Sequence, residues 1–253
     1  MILPMSASSN YLDHLRKLHP LLEMNFSVIS RSIHTMTAFM LISKKDRVFL
    51  IFAGIFVTNA IVAELIGGKL FSFGPFTLSM GILPWPIVFI ATDLINEYFG
   101  RQGVRFLTYI TVALISITFI LLYASMNIPA ADISPVGDAA FKEVFAQSAW
   151  IIVGSIIAFL VAQLIDISVF WFFKDRTGNR KLWLRATGST AVSQLIDSFV
   201  VIGIAFYLPG KVNFADFIKI ASSNYSFKFL VAVGATPLVY LGHYLVASYL
   251  KKD

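Results

Sequence analysis

The sequence predicts an all-α protein: a polytopic membrane helical bundle with six transmembrane helices and both termini in the cytoplasm. Three observations carry that expectation. Of the 253 residues, 57% are apolar and 13% charged, too few polar groups to cover a soluble fold of this size. The apolar residues gather into six stretches, each reaching the roughly 20 residues that cross a hydrocarbon core. The basic residues divide unevenly between alternate loops, which sets orientation.

Residues 1–47 stand apart from the rest. They mix Arg16, Lys17, Arg31, Lys44, Lys45 and Arg47 with scattered Leu and Ile, and hold no stretch long enough to span. The expectation is a cytoplasmic N-terminal tail, partly disordered or a helix lying on the membrane surface. It lacks the basic start, apolar core and small-residue site of a signal peptide. Residues 48–250 form the expected six-helix transmembrane domain.

The six spans are expected at Val48–Gly67, Met80–Phe99, Val104–Ala124, Ser148–Phe173, Leu184–Leu208 and Phe227–Leu250. Gly74-Pro75 marks a turn between the first two. Residues 125–147 form the longest external loop. Most of the Lys and Arg fall in residues 1–47, at Arg101 and Arg105, between Lys174 and Arg185, and at the C-terminal Lys251 and Lys252. The opposite loops hold only Lys69, Lys142, Lys211 and Lys219. That bias places both termini in the cytoplasm.

The organising stretch is the second span. It opens with Pro84-Trp85-Pro86, where a missing N–H costs a helix little. It then turns polar at membrane depth with Thr92, Asp93, Asn96 and Glu97. Spacings of three and four put Asp93, Asn96 and Glu97 on one helical face. Carboxylates at this depth face a bundle interior and mark a solute or ion path.

Other spans carry related groups. The fourth contains Gln163-Leu164-Ile165-Asp166 and the fifth Gln194-Leu195-Ile196-Asp197. Each sets an amide and a carboxylate one turn apart, offering donors and acceptors from a short patch. Thr92-Asp93-Leu94-Ile95-Asn96 also matches Ser193-Gln194-Leu195-Ile196-Asp197 in character. Spans two and five are equivalent in a 3+3 inverted repeat, an arrangement that holds solutes near the midplane. In the first span, Asn59 reads as interhelical glue or a site residue, and Glu64 as a headgroup-level acid or a functional one. Lys228, at the mouth of the last span, either reaches out to water, the favoured reading, or pairs with Glu64.

Several classes are excluded. Cysteine is absent, which removes disulfides, thiolate metal sites and cysteine nucleophiles. There is no His-Glu-x-x-His, no Gly-x-Ser-x-Gly and no phosphate-binding glycine loop. The expectation is no enzyme, no metal and no cofactor. The net charge of +6 reads as cytoplasmic loop bias, not nucleic-acid binding.

Thr92-Asp93 followed by Glu97-Tyr98-Phe99-Gly100, Gln163 with Asp166, Gln194 with Asp197, and Lys228 together resemble the queuosine precursor transporter family, also called the vitamin uptake transporter family. The resemblance covers residues 48–250. It implies a six-span importer of the bacterial inner membrane carrying 7-deazaguanines, such as 7-cyano-7-deazaguanine and its aminomethyl relative, for queuosine synthesis in tRNA. The alternative is a substrate-binding membrane subunit of an ATP-driven vitamin-type importer. Partners are then a small deazapurine and the lipid bilayer, with a proton as candidate coupling ion and homo-oligomerisation left open.

The residue chemistry agrees with such a solute. A deazaguanine presents two adjacent N–H donors that one carboxylate accepts together. Its carbonyl wants a donor, which Gln, Asn or Lys supplies, and its flat ring wants an aromatic face. The expected substrate-binding set is Asp93, Asn96, Glu97, Gln163, Asp166, Gln194, Asp197, Lys228, Asn59 and Trp85. Within it, Asp93 and Asp197 are expected to read the base edge, and Trp85, Phe89, Tyr98 and Trp171 are candidates for the stacking face.

Overall fold

The computed structural model describes residues 43–67, 69–74, 76–178 and 180–251. The chain divides between Arg47 and Val48. The tail expected over residues 1–47 lies, but for its last five residues, outside the described residues.

The architecture is helical. Helix α1 is Lys44–Ile66, α2 Trp85–Met126, α3 Asp138–Phe145, α4 Ala149–Thr177, α5 Leu182–Ile202 and α6 Phe214–Lys251. Two short strands, β1 (Leu70–Phe73) and β2 (Phe76–Ser79), and a 3-10 turn at Met80–Ile82 join α1 to α2. The last turn of α5 widens into a π-helical segment at Gly203–Tyr207. Among the described residues, five helical segments are long and apolar enough to cross a membrane. Leu50, Ile51, Ile120, Leu121, Leu241 and Leu245 are exposed, the pattern of a surface facing lipid rather than water.

Local chemistry sets the ends. Ser43 caps α1: its Oγ accepts from the Asp46 N–H at 3.1 Å and donates to Asp46 Oδ2 at 2.6 Å. Asn213 does the same for α6, accepting from the Asp216 N–H at 2.9 Å and donating to its carboxylate at 2.8 Å. That cap starts α6 at Phe214, well before the expected Phe227, so much of the expected external loop is helix. The two strands pair antiparallel, Leu70 opposite Ser79 and Phe73 opposite Phe76. Ser79 Oγ donates to Gly67 O at 2.6 Å, holding that hairpin to the end of α1.

The expected second and third spans are one element, α2. Its 42 residues make about 63 Å of helix at 1.5 Å per residue. They are not straight. Gly100 sits at φ 75° and ψ −178°, a left-handed conformation that other residues reach only with strain. The chain folds back there. A methyl added at Gly103 would come within 4.0 Å of Ile95 Cγ2, where a straight helix separates residues eight apart by about 12 Å. Val88, Ala91 and Ile95 before the break share one buried cluster with Val104, Leu107 and Ile115 after it.

Helices α4 and α5 are joined by four residues and run antiparallel, with the most extensive helix–helix contact in the fold. Helix α6 packs on α5, and α2 packs on both α4 and α6. Gly242 permits the α2–α6 approach: a Cβ there would lie 2.7 Å from Leu94 Cδ1.

Candidate functional site

A cleft opens where α2, α4 and α5 meet. From α2 it is lined by Trp85, Phe89 and Thr92; from α4 by Phe159, Ala162, Gln163 and Asp166; from α5 by Thr190, Ser193, Gln194 and Asp197. It encloses about 300 Å³ with its open mouth counted. It is narrow in this conformation, and a purine-sized solute needs it wider.

The two hairpin helices contribute the same geometry. Their lining residues recur at i, i+3, i+4 and i+7, the spacing of one helical face. Phe159, Ala162, Gln163 and Asp166 thus correspond position by position to Thr190, Ser193, Gln194 and Asp197. Because the helices are antiparallel, the order inverts across the cleft. Ser193 Oγ donates to Asp166 Oδ1 at 3.2 Å, which fixes the level of the pairing. One helical turn along, Gln163 comes level with the Asp197 end of α5.

One wall is aromatic. Trp85 stacks on Phe89, with ring centres 5.9 Å apart and planes 24° from parallel. Phe159 approaches the other way, its centre 5.8 Å from Trp85. The rest of the lining is polar and rich in acceptors. Gln163 Oε1 and Asp166 Oδ2 have no hydrogen-bond partner among the described residues, and both side chains are buried. Unpaired buried acceptors are costly, so this lining favours a solute that brings donors. Asp197 is differently placed: the Lys228 ammonium from α6 is bonded to its carboxylate.

Of the expected site residues, Trp85, Gln163, Asp166, Gln194 and Asp197 line the cleft. Lys228 reaches it through Asp197. The favoured expectation that Lys228 extends to water does not hold, because a buried Asp197 carboxylate without a counter-charge is more costly than drawing the amine inward. Asp93 is buried at 3% exposure beside the lining residue Thr92 but does not itself line the cleft. Its Oδ1 has no partner among the described residues. The acid that shares the cleft with Asp197 is Asp166.

Three expected residues lie elsewhere. Asn59 Nδ2 donates to the Ile55 carbonyl one turn back on α1 at 2.8 Å. Asn96 Oδ1 accepts from Trp171 Nε1 at 3.3 Å, so Trp171 braces α2 against α4 rather than presenting a stacking face. Glu97 is taken by two cations. Arg185 Nε and Nη2 reach its two oxygens at 3.0 Å each, and Lys174 Nζ approaches at 3.1 Å. Tyr98 lies within hydrogen-bond distance of His243 Nδ1 and its carbonyl oxygen, 2.9 Å from each, which ties α2 to α6.

Sequence reasoning missed Phe159, Ala162, Thr190 and Ser193 in the cleft, and Arg185 beneath it. The helical repeat was the available signal for the first four: they precede each Gln-Asp pair on the same face. For Arg185 the signal was Glu97, an acid at membrane depth that demands a cation.

An apolar helical bundle with a polar, partly aromatic cleft inside has the build of a polytopic membrane protein that handles a solute. A sequence model of the family described as "Putative vitamin uptake transporter" matches residues 79–242, and the chain belongs to that family. A Bacillus subtilis protein named "Probable queuosine precursor transporter" is 30% identical over 176 residues, 68% of this chain and 74% of that protein. A Haemophilus influenzae protein of the same name is 28% identical over 62% of this chain and 65% of its own length. The Escherichia coli "Queuosine precursor transporter" is 28% identical over 62% of this chain and 69% of its own. These relatives are transporters, not enzymes. No solved structure matches. All eleven cleft residues and Lys228 fall inside the family match.

Proposed function

We propose that this protein imports a queuosine precursor of the 7-deazaguanine class, such as 7-cyano-7-deazaguanine, and that the cleft between α2, α4 and α5 holds it. The observation that carries the proposal is the polar lining: Asp166 Oδ2 and Gln163 Oε1 are buried acceptors without partners among the described residues, in the same cleft as the stacked Trp85 and Phe89. A deazaguanine brings two adjacent N–H donors on a flat ring, which matches a carboxylate on one side and an aromatic face on the other. Asp166 is the reader of that edge, because Asp197 is already closed by Lys228. Gln194 lines the same cleft as a donor for the ring carbonyl. The names of the three relatives support the solute class.

The membrane topology belongs to the same proposal. With two crossings drawn from α2, the protein has six, and both termini lie in the cytoplasm. The break at Gly100 and the twofold hydrocarbon length of α2 support this, as does the crowding of Arg101, Arg105, Lys174, Arg180 and Lys181 at one end of the bundle. The correspondence of spans two and five in a 3+3 inverted repeat is part of the reading.

The test is complementation. Cells unable to make the precursor should regain queuosine in tRNA at low external 7-cyano-7-deazaguanine when they express this chain. Expression at the membrane without rescue would refute the assignment.

A further inference from the structure

Long cationic side chains near a membrane boundary normally extend to water. Lys228 does the reverse. It is bonded to Asp197, and the two side chains are only 12% and 10% exposed. Helices α5 and α6 thus bring a carboxylate and an amine together at the edge of the cleft, since Asp197 also lines it.

We propose that Lys228 is a tethered cation: its ammonium supplies from within the chain the positive charge that Asp197 needs, in the place a dissolved monovalent cation would otherwise take. A buried carboxylate without a counter-charge is strongly unfavourable. A dissolved cation meets that need only while it is bound, so its occupancy follows its concentration and links solute binding to it. An amine held by its own helix does neither. Binding at the cleft is then independent of sodium and potassium, and removing the amine turns the same place into a site for a small monovalent cation.

The experiment compares purified wild type with Lys228→Ala in sodium, potassium, ammonium, methylammonium and bulky N-methylglucamine chlorides at equal ionic strength. The wild type should have one Tm in all five. Lys228→Ala should be less stable in N-methylglucamine and gain about 5–10 °C in at least one small cation at saturation. A folded Lys228→Ala protein indifferent to every cation would overturn the proposal, as would a wild type stabilised by sodium or potassium. If Lys228→Ala does not fold, the double variant Lys228→Ala/Asp197→Asn decides. Recovery of folding shows that the amine serves to balance Asp197, and failure shows that it holds the fold by other contacts and overturns the proposal.

An uptake arm rests on the import reading. Wild-type proteoliposomes should take up 7-cyano-7-deazaguanine equally in sodium and in N-methylglucamine, and an uptake that collapses without sodium would contradict the tethered cation. No uptake in any salt sinks the import reading, while the stability arm still judges Lys228.

Discussion

Arg185 and Glu97 form a two-point ion pair, with Arg185 Nε and Nη2 each 3.0 Å from a different oxygen of the Glu97 carboxylate. Arg185 is 1% exposed and heads the fully buried side chains by size. Its remaining terminal nitrogen donates to the carbonyls of Gly178 and Arg180 at 3.2 and 3.1 Å. One side chain therefore joins the broken end of α2 to the turn of the α4–α5 hairpin. Both segments continue helices that line the cleft.

Removing the guanidinium strands a buried carboxylate, which costs about 3–5 kcal/mol. Lys174 Nζ, at 3.1 Å from the same carboxylate, offsets part of that. Arg185→Gln is expected to destabilise by about 3 kcal/mol, and Arg185→Lys also fails to restore stability because it loses the fork geometry and both carbonyl contacts. Thermal unfolding in detergent reads both. Wild-type stability in Arg185→Lys would show that charge alone matters.

Gly100 tests the fold-back in α2. A Cβ there meets nothing nearer than Trp171 Cζ2 at 3.8 Å, so space is available. The cost of Gly100→Ala comes from the backbone at φ 75° and should be about 1–2 kcal/mol. Gly100→Asn should cost as much, since φ 75° with ψ −178° lies outside the αL region that Asn tolerates. A Gly100→Ala or Gly100→Asn protein as stable as the wild type would contradict the backbone constraint.

Gly242 presents the opposite case. Its Cβ would lie 2.7 Å from Leu94 Cδ1, so Gly242→Ala should destabilise by about 1–3 kcal/mol. Adding Leu94→Ala frees the space, and the double variant should lose less than the sum of the two single losses. Strict additivity, measured by the same unfolding assay, would contradict the contact.

Much of this was readable from residues alone. Burial-driven features came through: the apolar segments, the polar stretch in α2, and the repeated Gln-Asp pairs that line the cleft. What escaped depended on partners far apart in sequence. Glu97 shares a face with Asp93 by spacing, yet Arg185 and Lys174, 88 and 77 positions away, draw it into an ion network. Lys228 looked free to reach water because nothing local shows that Asp197 needs it. The early start of α6 was legible in Asn213-Phe214-Ala215-Asp216 as a cap, but the residues after it are polar enough to pass for a loop.

In the proposed import reading, Asp166 reads the solute edge. Asp166→Asn removes the charge and one acceptor while keeping the shape, and loss of a charge-assisted pair of about 2–3 kcal/mol corresponds to roughly a hundredfold weaker capture. Asp93→Asn, outside the lining, should weaken capture far less. Equal losses would shift the site toward α2.

The most direct measurement is uptake of labelled 7-cyano-7-deazaguanine into proteoliposomes that contain only this protein. The cleft assignment predicts saturable uptake by the wild type, competed by unlabelled 7-deazaguanines and reduced about a hundredfold in Asp166→Asn at low solute. Uptake no greater than in empty liposomes, or an Asp166→Asn protein that transports like the wild type, would contradict it.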